Sequence, residues 1–95
     1  MMMKLLAEFL GTFVFFTVIL TTQTPKSPGP VGVAIALLAA IYFVGNISGG
    51  HFNPGVSYMM YLQNSKLCDL VAYVASQLLA THAALWFFKE ARAFY

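Results

Sequence analysis

The sequence predicts an all-α membrane protein with three transmembrane helices and one re-entrant half-helix. Three observations carry that prediction. Of the 95 residues, 60% are hydrophobic and only 8% are charged, with a mean hydropathy of +0.77, too little charge to coat a soluble domain. The apolar residues gather in three runs, about 5–22, 31–47 and 67–88, each near the length an α-helix needs to cross roughly 30 Å of hydrocarbon. Between the second and third runs, a Gly-rich polar break at about 48–62 leads into an apolar stretch too short to span. Period-2 alternation is absent, so helices are expected rather than a barrel.

The first run holds one charge, Glu8. The preceding "MMMK" imitates a signal peptide, but the run ends in "TTQTPKSPGP" without a small-x-small cleavage site. It is therefore expected to remain as a span. Glu8 needs a partner if it lies deep, because charge inside a span is costly. Its alternative is a shallow place near the headgroups, four residues beyond Lys4.

"TTQTPKSPGP" (Thr21–Pro30) is the connection to the second run, which carries no charge. The break that follows reads "SGGHF" and then "NPGVSYMMYL". Asn is a favoured N-cap and Pro suits the first helical position, so Asn53-Pro54 starts a helix. From Pro54 to Leu62 it would be about 13 Å long, about half the hydrocarbon core. The chain is expected to dip as an extended loop, turn at Asn53 and return as a half-helix. Extended backbone at that depth is tolerated only where protein buries it or water bathes it. The carbonyls of Gly49, Gly50, His51 and Phe52 would then face a water-filled path, ended by the positive tip of the half-helix and the Asn53 amide. A helix lying flat on the membrane is the alternative, but its Met/Tyr/Val surface lacks the expected basic face.

The third run carries Asp69 near its start and Gln77 in its middle. His82 is expected to be neutral and packed. Trp86, Phe87, Phe88, Phe94 and Tyr95 crowd its end as an interfacial aromatic belt would. The single cysteine, Cys68, forbids an internal disulfide or a cysteine metal cluster. A net charge of +2 with no basic-aromatic patch gives no argument for nucleic acid. Three scattered carboxylates, no Ser-His-Asp or Cys-His spacing and no phosphate loop give none for an enzyme, a metal or a cofactor.

"SGGHFNPGVS" (Ser48–Ser57) resembles the first signature loop of the aquaporin, or major intrinsic protein, family, whose usual form is Ser-Gly-x-His-x-Asn-Pro-Ala-Val-Thr. "AEFLGTF" (Ala7–Phe13) and "YVASQLLA" (Tyr73–Ala80) resemble motifs of its first and third spans, in the same order. The resemblance covers essentially the whole chain but only the first of the two inverted repeats of an aquaporin-like fold. It implies a passive channel for water or small neutral solutes, passing in single file while cations and protons are excluded. In this sequence Asn53 would be the donor to passing solute and Pro54 and Gly55 would open the half-helix. Gly49, Gly50, His51 and Phe52 would line the channel, and Glu8 and Gln77 would brace the loop. Gly55 stands where the family usually has Ala. Val33, twenty residues before Asn53, stands where many water-selective members carry an aromatic ring, so a wider constriction is expected there.

The sequence contains no second Asn-Pro-Ala and no fourth to sixth span. One half-helix among three spans cannot enclose a pore. The chain is expected to be a fragment of a longer channel, to need a complementary half, or to pair with an antiparallel copy. Its lysines and arginine split two against three across the membrane, which sets no orientation. Family members are commonly tetramers, an analogy only. The alternative function is a non-conducting fragment or interaction partner of full-length relatives.

Overall fold

The structure is a computed structural model that describes residues 1–94; Tyr95, counted above in the aromatic belt, lies outside the described residues. Four helices appear in order: α1 (Met2–Thr21), α2 (Gly29–Ser48), α3 (Pro54–Gln63) and α4 (Leu67–Ala91), the last ending in a 3-10 turn, Arg92–Phe94. No strand occurs among the described residues. Three of the helices are long and apolar enough to cross a bilayer, and α3 is not.

Helix α1 starts ahead of its apolar run and α4 continues past its own. Polar residues at both places can reach the headgroup zone while the backbone stays helical. The end of α1 is closed by its threonines. Thr21 Oγ1 donates to the Val18 carbonyl at 2.5 Å and Thr22 Oγ1 to the Ile19 carbonyl at 2.6 Å, and the Ile19 carbonyl also accepts the Thr22 N–H at 3.0 Å. Helix α2 begins with Pro30 in its first turn, where the missing N–H costs nothing. Asp69 in the first turn of α4 and Lys89 in its last complement the helix dipole.

Helix α2 is not uniform. It is regular to Ala40, widens into a π-type turn over Ile41–Gly45, and closes with Asn46–Ser48. The wide turn directs Tyr42 and Phe43 outward, 79% and 81% exposed. It also brings the Gly45 backbone close to that of Gly50, so that the helix supports the loop it leads into.

Helices α1 and α4 form the main packing pair, α2 lies against α1, and α3 lies against α4. The α4 residues buried in the interior are Tyr73, Ser76, Gln77, Ala80, Ala84 and Phe88, a stripe at helical spacing. On α1 the buried set is Ala7, Glu8, Gly11 and Thr12. Small residues, Ala7, Gly11 and Thr12 on α1 and Ser76, Ala80 and Ala84 on α4, let the helix backbones approach closely.

Two expectations are corrected. Phe88, assigned to the aromatic belt, is 3% exposed because it continues the interior stripe of Ala80 and Ala84 at four-residue steps. The Arg92 guanidinium sits 5.7 Å from its ring centre. Trp86, Phe87 and Phe94 are exposed. His82, expected to be packed, is exposed. Five residues beyond buried Gln77, at 100° per residue, it points to the opposite side of α4.

Candidate functional site

Helix α2 stops at Gly49, whose φ of 96° no L side chain adopts cheaply, and Gly50 follows at 68°. Phe52 is also left-handed, at 53°, although it has a side chain. That strain is held by burial, since Phe52 is 0% exposed. Its ring lies on Gly11 so closely that a methyl group there would collide with Cε1. Asn53 then returns to extended backbone, φ −165° and ψ 130°, and caps α3 through Oδ1, which accepts from the Gly55 N–H at 2.7 Å. Helix α3 is about 15 Å long. Pro54 and Tyr58 share a groove with Leu70, Val71, Val74, Ala75 and Leu78 of the first half of α4. The short helix therefore begins beside the middle of α4 and runs back toward its start, the geometry of a re-entrant segment.

One carboxylate holds the loop. Glu8 Oε2 accepts from Ser48 Oγ at 2.6 Å and from the His51 N–H at 3.1 Å. Its Oε1 accepts from the Phe52 N–H at 2.8 Å and from Gln77 Nε2 at 2.9 Å. Glu8 is 0% exposed, and its partners lie within the fold. Four N–H and O–H donors thus converge on the two oxygens of one side chain.

The remaining partners are serines and a tyrosine. Ser48 Oγ accepts from the Gly50 N–H at 3.3 Å, and the Ser48 carbonyl accepts from the Tyr73 hydroxyl at 2.7 Å. Ser57 Oγ accepts from Gln77 Nε2 at 2.8 Å and lies 2.8 Å from His51 Nδ1. The His51 ring rests against that of Tyr73, centroids 4.8 Å apart. Ser48, Ser57 and Tyr73 were missed as site residues in the sequence. The one available signal was Ser57, one helical turn after Asn53 and so on the same face of α3.

An asymmetry results. The N–H groups of Gly49, Gly50, His51 and Phe52 are all engaged, the first by the Gly45 carbonyl at 2.7 Å. No hydrogen bond reaches the carbonyls of these four residues among the described residues. Asn53 is exposed, and with Oδ1 committed to Gly55 its Nδ2 is left as a free donor. Beside this segment opens a cavity of about 210 Å³, lined by Lys4, Ser48, His51, Ser57, Asp69 and Tyr73 among others. Val33 is not part of this cluster. Fifteen residues before Ser48, about 22 Å along the helix, it lines a separate groove with Phe15, Pro30 and Leu37.

The sequence profile described as "Major intrinsic protein" matches residues 1–93. The chain belongs to the major intrinsic protein family. It is 38% identical over 90 residues to Aquaporin Z of Photorhabdus laumondii, a match covering 83% of the chain and 39% of that protein. Aquaporin Z of Brucella melitensis is 42% identical over 95 residues, covering 88% of the chain and 42% of that protein. "Glycerol uptake facilitator protein-like 6" of Lactiplantibacillus plantarum is 34% identical over 89 residues, covering 87% and 41%. No solved structure matches. The chain thus spans about two fifths of the length of the curated relatives it matches. Membership in the major intrinsic protein family and three spanning helices make it a multi-pass integral membrane protein, with the architecture of one half of an aquaporin-like fold.

Proposed function

We propose that this chain forms one half of a passive transmembrane pathway for water or small neutral solutes. The observation that carries the reading is the one-sided hydrogen bonding of the loop, with every N–H from Gly49 to Phe52 tied and every carbonyl free. Such carbonyls are costly at membrane depth unless something polar meets them. A file of water meets them in turn, each molecule donating to a carbonyl and passing to the next. At Asn53 the file meets donors instead, the free Nδ2 and the positive end of α3. A water there accepts rather than donates, and a cation or proton is repelled. Glu8 and Gln77 act as braces that fix the carbonyls in line, and Pro54 and Gly55 set the turn. Val33 borders the far approach, where it would leave the path wider than an aromatic ring would.

The names of the relatives, Aquaporin Z and a glycerol uptake facilitator-like protein, agree with this class of solute. Asn53 is exposed in the single chain, so the path needs a second wall. A complementary half or an antiparallel copy would supply it. Stopped-flow swelling of liposomes tests the reading, with the chain alone and with a separately expressed second half of an aquaporin. Faster swelling than empty liposomes, lost in Asn53→Asp, supports the pathway. Swelling equal to empty liposomes in both preparations discards it and leaves the non-conducting interaction partner as the reading.

A further inference from the structure

Ser57 lies on α3 one turn after Asn53 and is 3% exposed. Its hydroxyl oxygen touches two groups, Gln77 Nε2 at 2.8 Å and His51 Nδ1 at 2.8 Å. Glu8 settles the direction of the first contact. A carboxylate only accepts, so the Gln77 atom between Glu8 Oε1 and Ser57 Oγ is the amide nitrogen, with one hydrogen for each. Ser57 Oγ therefore accepts from Gln77 and has one proton left to place. Other hydroxyls of the chain turn theirs onto helix carbonyls, as Thr21 does with Val18 and Thr81 with Gln77. Ser57 does not: the Asn53 carbonyl one turn back takes the Ser57 N–H at 3.2 Å and no hydroxyl. Among the described residues, the one acceptor beside that proton is His51 Nδ1.

We propose that Ser57 fixes the tautomer of His51, its O–H donating to a bare Nδ1 so that the ring hydrogen sits on Nε2. A neutral imidazole has one nitrogen of each kind, and the bond made at one of them decides which is which. The opposite tautomer would aim Nδ1–H at Ser57 Oγ and leave the Ser57 proton without an acceptor, which is costly in a buried site. The relay thus runs one way, from Gln77 to Ser57 to His51. Tyr73 does not compete. Its ring lies against that of His51, centroids 4.8 Å apart, and its hydroxyl goes to the Ser48 carbonyl. His51 Nε2 has no hydrogen bond among the described residues. It lies 3.5 Å from where a Cβ on Gly49 would stand, and the ring borders the cavity of about 210 Å³. One consequence rests on the pathway proposed above: a solute beside Gly49 meets an N–H at His51, and Ser57 and Gln77 are the positioning residues that set this polarity.

The test reads the ring nitrogens of the full chain in lipid, isotope-labelled at histidine, by two-bond proton–nitrogen correlation. It is run at about pH 8, where histidine is ordinarily neutral. His82, which is exposed, is the reference in the same spectrum. The expected result is one His51 species with Nδ1 bare and Nε2 protonated. Ser57→Ala draws the two nitrogen signals toward each other as tautomers exchange, and Ser57→Thr restores their separation. Gln77→Glu reverses the relay. A protonated carboxyl there still donates to Glu8 Oε1 but accepts from Ser57, whose oxygen then takes Nδ1–H, so the two nitrogens trade identities. If that variant does not fold, the Ser57 pair decides alone. A hydrogen on Nδ1 in the unaltered chain, or a Ser57→Ala spectrum identical to it, would overturn the proposal. No swelling rate enters the measurement, so a non-conducting chain would leave the tautomer standing, and the opposite tautomer would leave the pathway standing.

Discussion

Glu8 Oε1 stands 2.8 Å from the amide nitrogen of Phe52, 44 positions away in the chain. The same carboxylate serves His51, Ser48 and Gln77. Glu8→Gln puts an amide nitrogen where one oxygen was, facing donors with a donor. The less costly orientation places it at Oε2, because the Ser48 hydroxyl can turn away and the His51 N–H cannot. One buried N–H is then left unmet, a loss of about 1–3 kcal/mol. Hydrogen exchange will show the His51 amide opening faster than that of Phe52, and Glu8→Ala will release both.

Gly11→Ala inserts a methyl into the Phe52 ring. Overpacking of this kind costs about 1–3 kcal/mol, visible as a lower unfolding midpoint in lipid-detergent mixtures. Phe52→Leu in the same chain will recover part of the loss, because its smaller side chain vacates the space. A double-mutant cycle with no coupling between the two positions would contradict the contact.

Gly49→Ala meets only ordinary van der Waals contact, the nearest atom being His51 Nε2 at 3.5 Å, but φ is 96°. Backbone strain alone is therefore expected to cost about 1–2 kcal/mol. Gly32→Ala differs in kind, since its φ is ordinary and its methyl would strike the Pro28 ring. Thermal unfolding of the pair, with and without Pro28→Gly, which removes the Cβ that the Gly32 methyl would meet, separates the two causes: only the Gly32 variant is rescued.

Ser57→Ala removes the oxygen shared by Gln77 Nε2 and His51 Nδ1. One amide hydrogen loses its acceptor, costing about 1–3 kcal/mol, and the His51 ring is released from α3. Histidine ring NMR signals will broaden at His51 and stay unchanged at His82. Ser57→Thr, which keeps the oxygen, will preserve the sharp His51 signal.

The spans were legible because a run of about twenty apolar residues has one economical fold in lipid, and "NPG" after two glycines marks a helix start from any direction of reading. Glu8 was visible as an acid with no local partner. The resemblance pointed to Glu8 and Gln77 as braces of the loop, but which atoms they meet was not legible, because Ser48, His51, Phe52 and Gln77 reach Glu8 only once the helices have packed, and sequence spacing says nothing about such meetings. Phe88 and His82 were misassigned for one reason. Both lie in a stretch that is apolar on every side, where the sequence carries no signal for which face turns inward. The π-type turn at Ile41–Gly45 was likewise invisible, since "IYFVG" suits a regular helix equally well.

The fastening of the loop to Glu8 has a consequence for biogenesis. Glu8 is made 40 to 44 positions ahead of Ser48, His51 and Phe52, and 69 ahead of Gln77. Three of its four donors therefore arrive with the loop, and the fourth, which also ties Ser57, arrives only with α4. A chain halted before α4 would carry a half-fastened hairpin that quality-control proteases could recognise.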